Sequence, residues 1–232
     1  MSNLIEHLIE PEKLSLVWQA SSSANRGRLV VGELSRSGGI VSLRYLTQTT
    51  GFLEAEEVGF AGFPAFPSKK ELYSEGVLDT FLKRLPPRSR TDFPKYLKDL
   101  RLPTDYSISD FALLGYSEAK LPGDGFSILP NFSDVEPPFE FLSEIAGFRY
   151  SGANLENISL GDRVEFEREP DNRYDPNAIK VAANGNSIGY INRVHAPSFA
   201  HWLETHSVNA VIERINGNSE RPMIYLFVKI RA

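Results

Sequence analysis

The stretch Pro130–Phe139, PNFSDVEPPF, constrains this chain most, because it places three prolines and two carboxylates within ten residues. Proline removes a backbone donor and drives the residue before it into extended conformations, so such a run reads as exposed, irregular chain. It divides the 232 residues into a first half, 1–130, a linker, 131–144, and a second half, 145–232. Each half is long enough for one small core. Charge does not separate them: residues 1–140 carry 15 basic and 19 acidic side chains, and residues 141–232 carry 10 and 11.

The apolar pattern predicts an α+β protein. In the first half, Leu14–Gln19, Arg28–Leu34 and Ile40–Leu46 mix β-branched and aromatic residues, with turn chemistry at Ser35–Gly39. A small hairpin-rich sheet follows. Gly59–Pro67, GFAGFPAFP, has loop composition with phenylalanines that plug a core edge. Helical spacing then covers Lys70–Leu85, which Pro86–Pro87 ends, and shorter helices fit Asp92–Leu100 and Ser109–Leu114. Gly123–Pro130 reads as a turn into a last strand. The second half predicts a β-rich barrel with one helix. Its strands are Arg163–Arg168, Ala178–Ala182, Ser187–Ile191, Asn209–Ile215 and Ile224–Ile230, with a hairpin at Asn184–Gly185 and a helix over Ala196–Thr205.

Composition excludes several function classes. With no cysteine there are no disulfides, thiolate metal sites or Cys nucleophiles, which fits a reducing compartment. The start, MSNLIEHLIEPEK, lacks the basic n-region and apolar core of a signal peptide, and no run of about 18 apolar residues reads as a membrane span. A cytoplasmic protein without a membrane partner is the expectation. A net charge of -5 and a pI near 5.5 argue against coating nucleic acid by bulk charge, but not against a local basic site. Nucleophile elbows, zinc-protease helices and glycine-rich phosphate loops are all missing, so neither an enzyme nor a cofactor is expected. His195, His201 and His206 are spaced by six and five, off the i, i+4 face of a helical metal site, and read as surface histidines. The loop with Asp171 and Asp175 lacks an EF-hand's glycine and terminal glutamate.

Two stretches are candidates for binding. Lys83–Arg101 holds seven basic residues against two acids, which suits either a solvated helical hairpin or a face for an acidic partner or phosphates. Arg168–Asn177, REPDNRYDPN, pairs Tyr174, a base-stacking ring, with Asp175, an acceptor for a hydroxyl. Arg149, Tyr150 and Arg193 flank neighbouring strands, and two arginines with two tyrosines make a small phosphate-and-base site. The same residues also fit a barrel plug at Tyr174 and a turn cap at Asp175.

Residues Gly147–Lys229 resemble a HIRAN domain. The matching segments are Gly147-Phe-Arg-Tyr150, Arg168-Glu-Pro-Asp-Asn-Arg-Tyr-Asp-Pro-Asn-Ala-Ile-Lys-Val181 and Gly185-Asn-Ser-Ile-Gly-Tyr-Ile191. The resemblance implies an OB-like β-barrel with helices that captures a single-stranded DNA 3′ end. It implies stacking by Tyr174, acceptance of the 3′-hydroxyl by Asp175, and contacts to phosphate and base from Arg149, Tyr150 and Arg193. Ser151 stands where DNA-binding relatives have a second aromatic, and Tyr190, still able to stack or donate, where they have a histidine.

The first half resembles the N-terminal subdomain of HipA-type toxin kinases. The resemblance runs through Val17-Trp18, Arg28–Leu34, Leu43–Tyr45, Val77–Pro86, Asp110–Gly115 and Gly125–Pro130, without a kinase body. It implies a non-enzymatic, antitoxin-like protein whose first half docks on a HipA-family kinase, with Arg84 and Arg88 as contact candidates. A stand-alone binder of DNA 3′ ends is the alternative. The sequence does not set the oligomeric state.

Overall fold

The early apolar runs become strands because each pairs its branched and aromatic side chains into one core. The strands are β1 (Lys13–Trp18), β2 (Leu29–Ser37) and β3 (Ile40–Tyr45). In this computed structural model, residues 3–20, 27–105, 107–173, 175–218 and 221–232 are described. They divide into two units. One comprises Glu10–Leu100 and Thr104–Asp134, the other Met1–Ile9, Arg101–Pro103 and Val135–Ala232.

In the first of these, β1–β3 are followed by α1 (Thr50–Glu57), the short pair β4 (Gly62–Phe63) and β5 (Phe66–Pro67), and β6 (Leu72–Tyr73). Next come α2 (Val77–Leu82), α3 (Phe93–Asp99), α4 (Asp110–Tyr116) and β7 (Phe126–Pro130). The antiparallel sheet has the order β6-β3-β2-β1-β7. Phe60, Phe63 and Phe66 are buried in the core, as the GFAGFPAFP composition predicts. Tyr45 pins that loop. Its hydroxyl donates to the Phe66 carbonyl and accepts the Phe63 N–H at 2.7 Å. The helix expected over Lys70–Leu85 is shorter, because Leu72 and Tyr73 pair with Arg44 and Leu43 of β3. Only Val77–Leu82 turns helical. Helix α1 has no counterpart in the sequence reading. It starts at Thr49, whose hydroxyl accepts the Phe52 N–H at 3.3 Å.

The other unit holds β8 (Phe139–Ala146), β9 (Val164–Arg168), β10 (Ile179–Ala183), β11 (Asn186–Ile191), α5 (Ala196–Thr205), β12 (Ser207–Asn218) and β13 (Arg221–Arg231). The helix and the five expected strands lie where the pattern put them, to within a few residues at the ends. The linker does not. Residues 139–144 belong to β8, an inner strand of the antiparallel order β12-β13-β8-β11-β10-β9. Residues 1–9 and 101–103 also belong to this unit, against the expected division at 130 and 145. In place of a fully closed barrel, the sheet is a curled half-barrel. Its edges meet at one bridge, Arg163 to Val211, flanked by Gly161 N–H to Ile212 O (2.8 Å) and Ile212 N–H to Asp162 O (2.9 Å). Helix α5 fills the hollow: Phe199 and Trp202 pack edge-on against Phe141 at ring separations of 6.1 and 6.0 Å. The β10–β11 turn carries Asn184 (φ 51°) and Gly185 (φ 77°), the left-handed pair that a two-residue hairpin demands.

Candidate nucleic-acid interface

Strand β8 ends at Ala146, opposite Tyr190 of β11, and the chain then turns at Gly147 into a single 3-10 turn, Phe148–Tyr150. This turn packs on β11 because residue 189 is glycine. A Cβ there would lie 2.4 Å from the Ala146 carbonyl oxygen, at a φ of +132° that side chains rarely adopt. The I-G-Y-I motif therefore encodes a close backbone approach that sets Tyr150 beside the sheet's end. Phe148 is buried as the anchor, whereas Tyr150 is 80% exposed. The Arg149 guanidinium lies 5.2 Å from the Tyr150 ring centre and donates to its hydroxyl at 2.9 Å. Cation and ring thus sit together on the surface.

Tyr190 is held from the other side. Its hydroxyl donates to Glu169 Oε2 at 3.0 Å, and Asn172 Nδ2 donates to the same oxygen at 3.0 Å. Burial, reinforced by the Glu169 carboxylate, pushes the Tyr190 hydroxyl above its usual pKa, so it stays a donor. The Asn172 side chain also accepts the Asp175 N–H at 3.3 Å. Asp175 Oδ1 caps the Asn177 N–H at 2.9 Å, and its Oδ2 lies 3.9 Å from Arg193 Nε. The turn cap weighed for Asp175 is therefore present, and its second oxygen faces a cation.

The fold thus ties Asp175, Tyr190 and Arg193 together through the loop Glu169–Asn177, with Arg149 and Tyr150 on the turn beside β11. Tyr174 lies outside the described residues. Sequence reading missed Glu169 and Asn172 as the supports of this loop, although the R-E-P-x-N spacing carries both. Together the residues offer an exposed stacking ring, two guanidinium groups and a carboxylate acceptor, the equipment for a base, phosphates and a hydroxyl.

Two expected roles need correction, those of Arg84 and His195. Arg84 is buried and serves the interior. It pairs with Asp124 (2.5 and 3.2 Å) and donates to the carbonyls of Ala119 (2.7 Å) and Phe126 (3.1 Å). Its guanidinium is consumed by the fold. Arg88 is half-exposed but pinned to Asp110 and to the Ile108 carbonyl, both at 2.7 Å. His195 is no surface histidine. It is 3% exposed, bonded to Asn192 and edge-on to Phe141 at 5.2 Å. Among the described residues no group of three or more His, Asp or Glu side chains could hold a metal ion, and no helix is long and apolar enough to cross a membrane.

Comparison with known proteins matches residues 138–231 to the HIRAN domain model. The helicase-like transcription factor of Mus musculus is 33% identical over 107 residues, 38% of this chain and 10% of that protein. The Homo sapiens protein of the same name is 32% identical over 89 residues, 32% of this chain and 8% of its own. The chain therefore spans about a tenth of these relatives. The solved HIRAN domain of human HLTF is 24% identical, with a TM-score of 0.34, over 39% of this chain and 74% of that one. The family match and the G-F-R-Y, R-E-P-x-N-x-Y-D and I-G-Y-I segments fall on the same strands and loop, and residues 138–231 are a HIRAN domain.

Proposed function

We propose that this protein is a non-enzymatic binding protein whose HIRAN domain takes the 3′ end of single-stranded DNA. One observation carries the reading: Tyr150 leaves 80% of its surface in water, with the Arg149 guanidinium beside it. An aromatic ring gains roughly 1.5–3 kcal/mol by burial, which this one forgoes at a position where it can stack a base. Arg193 and Arg149 then take phosphates, and Asp175 accepts the terminal hydroxyl. Fluorescence anisotropy at low salt, with oligonucleotides ending in 3′-hydroxyl or 3′-phosphate, tests it. Tyr150→Ala weakens binding about tenfold or more, the equivalent of one lost stacking contact at ~1–3 kcal/mol. Arg193→Ala flattens the salt dependence, because one fewer phosphate is neutralised. Equal affinity for the two ends rejects end capture, and no binding at low salt rejects the DNA role.

A second reading concerns residues 1–130, which we propose dock on a HipA-family kinase as an antitoxin does. In its support, Val17-Trp18, Arg28–Leu34, Leu43–Tyr45 and Gly125–Pro130, which carry the resemblance, lie in or at the ends of four neighbouring strands of one sheet. Co-purification of the whole chain with such a kinase tests it; an Arg84 variant does not, since that side chain holds the core.

A further inference from the structure

Where α2 runs out at Lys83 and the chain passes through Pro86 and Pro87 to α3, the first unit opens into a cavity of about 570 Å³. That falls within the range of about 300–1,000 Å³ typical of small-molecule sites. Leu85, Pro86, Pro87 and Leu121 supply apolar lining, and Tyr96 adds a half-buried ring. The rest is charged: Lys83, Arg84, Arg90 and Lys95 against Asp92 and Asp99.

The pairing of those charges decides what the cavity can accept. Arg84 is neutralised from behind by Asp124, which does not line the space. Arg90 and Asp92 neutralise each other through a two-point pair at 2.8 and 2.6 Å, and Asp99 is also engaged. Among the described residues no carboxylate lies within ion-pair distance of Lys83 or Lys95. Both lysines are exposed and Lys95 also feels the nearby Asp92 charge, so the lining presents, beside its apolar side chains, two lysines that make no close ion pair among the described residues. Lysine acts as a point charge for phosphate, and proline and tyrosine offer flat surfaces to a ring.

The geometry points to a binding site for a small phosphorylated molecule, with phosphoryl groups between Lys83 and Lys95 and a ring against Pro86, Pro87 and Tyr96. A nucleoside diphosphate has this chemistry. The site is independent of the HIRAN residues.

Calorimetric titration of the whole chain at low salt with ADP, inorganic pyrophosphate and adenosine tests the proposal. ADP is expected to bind more tightly than pyrophosphate, and adenosine to bind at least tenfold more weakly than ADP. Lys83→Glu with Lys95→Glu should weaken ADP binding at least tenfold, with circular dichroism unchanged because both side chains lie on the surface. Tyr150→Ala should leave it intact, which separates this site from the DNA site. No heat with millimolar ADP, ADP binding that survives the double charge reversal, or adenosine binding as tight as ADP would each overturn it.

Discussion

Glu140 is the residue whose replacement tells most about the HIRAN unit. It lies on β8, 1% exposed, and its carboxylate closes the N-terminal segment onto the sheet. Oε2 accepts the backbone N–H groups of Glu6 (3.1 Å) and His7 (2.8 Å), while Oε1 takes the Arg231 guanidinium and lies 3.1 Å from His7 Nδ1. Burial alone would raise its pKa. The His7 N–H, Arg231 and the His7 ring outweigh burial and hold the carboxyl below its ordinary value. Glu140→Gln keeps the shape, removes the charge and turns one acceptor into a donor that faces donors. Breaking a buried ion pair costs about 3–5 kcal/mol. Here the Arg231 and His7 side chains are 35% and 44% exposed, so water recovers part of that, and we expect a loss of about 2–3 kcal/mol. At about 4–8 °C per kcal/mol for a domain of up to about 100 residues, the unit's melting temperature falls by roughly 10–20 °C.

Thermal unfolding of the whole chain, with hydrogen exchange at the Ile5, Glu6 and His7 amides, reads this out. The Ile5 N–H donates to the Arg101 carbonyl at 2.8 Å and should lose protection with its neighbours. The pH dependence has a fixed sign. A carboxyl whose folded pKa is depressed contributes stability above its unfolded pKa of about 4.3, and the contribution is lost as pH falls through the folded value. Wild type and Glu140→Gln should therefore differ at pH 7 and converge in acid. Equal melting temperatures at pH 7, or unchanged protection of the three amides, would refute the reasoning.

Three further outcomes follow from the packing. Gly189→Ala forces a Cβ to within 2.4 Å of the Ala146 oxygen at φ +132°, so it should cost at least ~2 kcal/mol by chemical denaturation and weaken DNA binding by displacing the Tyr150 turn. Tyr45→Phe leaves the Phe66 carbonyl and Phe63 N–H without their partner and should cost ~1–3 kcal/mol. Burial pushes the Tyr45 hydroxyl up to about 12, against about 10 unfolded, so wild-type stability falls as pH rises through that window, and the phenylalanine variant should lack that part of the slope. Arg84→Met removes the partner of Asp124 and of two carbonyls and should cost ~3 kcal/mol in the first unit, while leaving DNA binding unchanged.

β-branched and aromatic composition with turn chemistry made the strands of the first unit legible, and alternation helped in the second. Ile224, Leu226 and Val228 face the core as the period of two predicts, and α5 occupies Ala196–Thr205 because its apolar face and first-turn proline agree. Strand β8 was hidden for a physical reason. Its sequence, FEFLSEIA, follows two prolines, and its second residue is a glutamate that the fold buries. At the site, the spacing of R-E-P-x-N-x-Y-D located the loop, but not the bonds that Glu169 and Asn172 make within it, which depend on Tyr190 arriving from another strand.

Buried charge underlies two of the misreadings, Arg84 and strand β8 with its Glu140. Arg84 was read as surface because lysine and arginine are seldom fully buried unless paired, and its partner, Asp124, is forty residues away. Glu140 meets Arg231 across 91 residues, and Glu213, 9% exposed, meets Arg101 across 112. Local composition carries no trace of such pairs, because either member alone has the profile of a solvated surface residue. In the HIRAN unit they do specific work: Glu140 holds the segment around His7, and Glu213 holds both Asn3, at 2.5 Å, and Arg101. Two short stretches, 3–9 and 101–103, are thus fixed to a domain from which they are remote in sequence, by groups that are costly to bury unless both partners arrive. An ion pair of this kind adds little net stability over an apolar contact, yet it penalises every arrangement in which one partner is missing. That selectivity disfavours other placements of the two stretches.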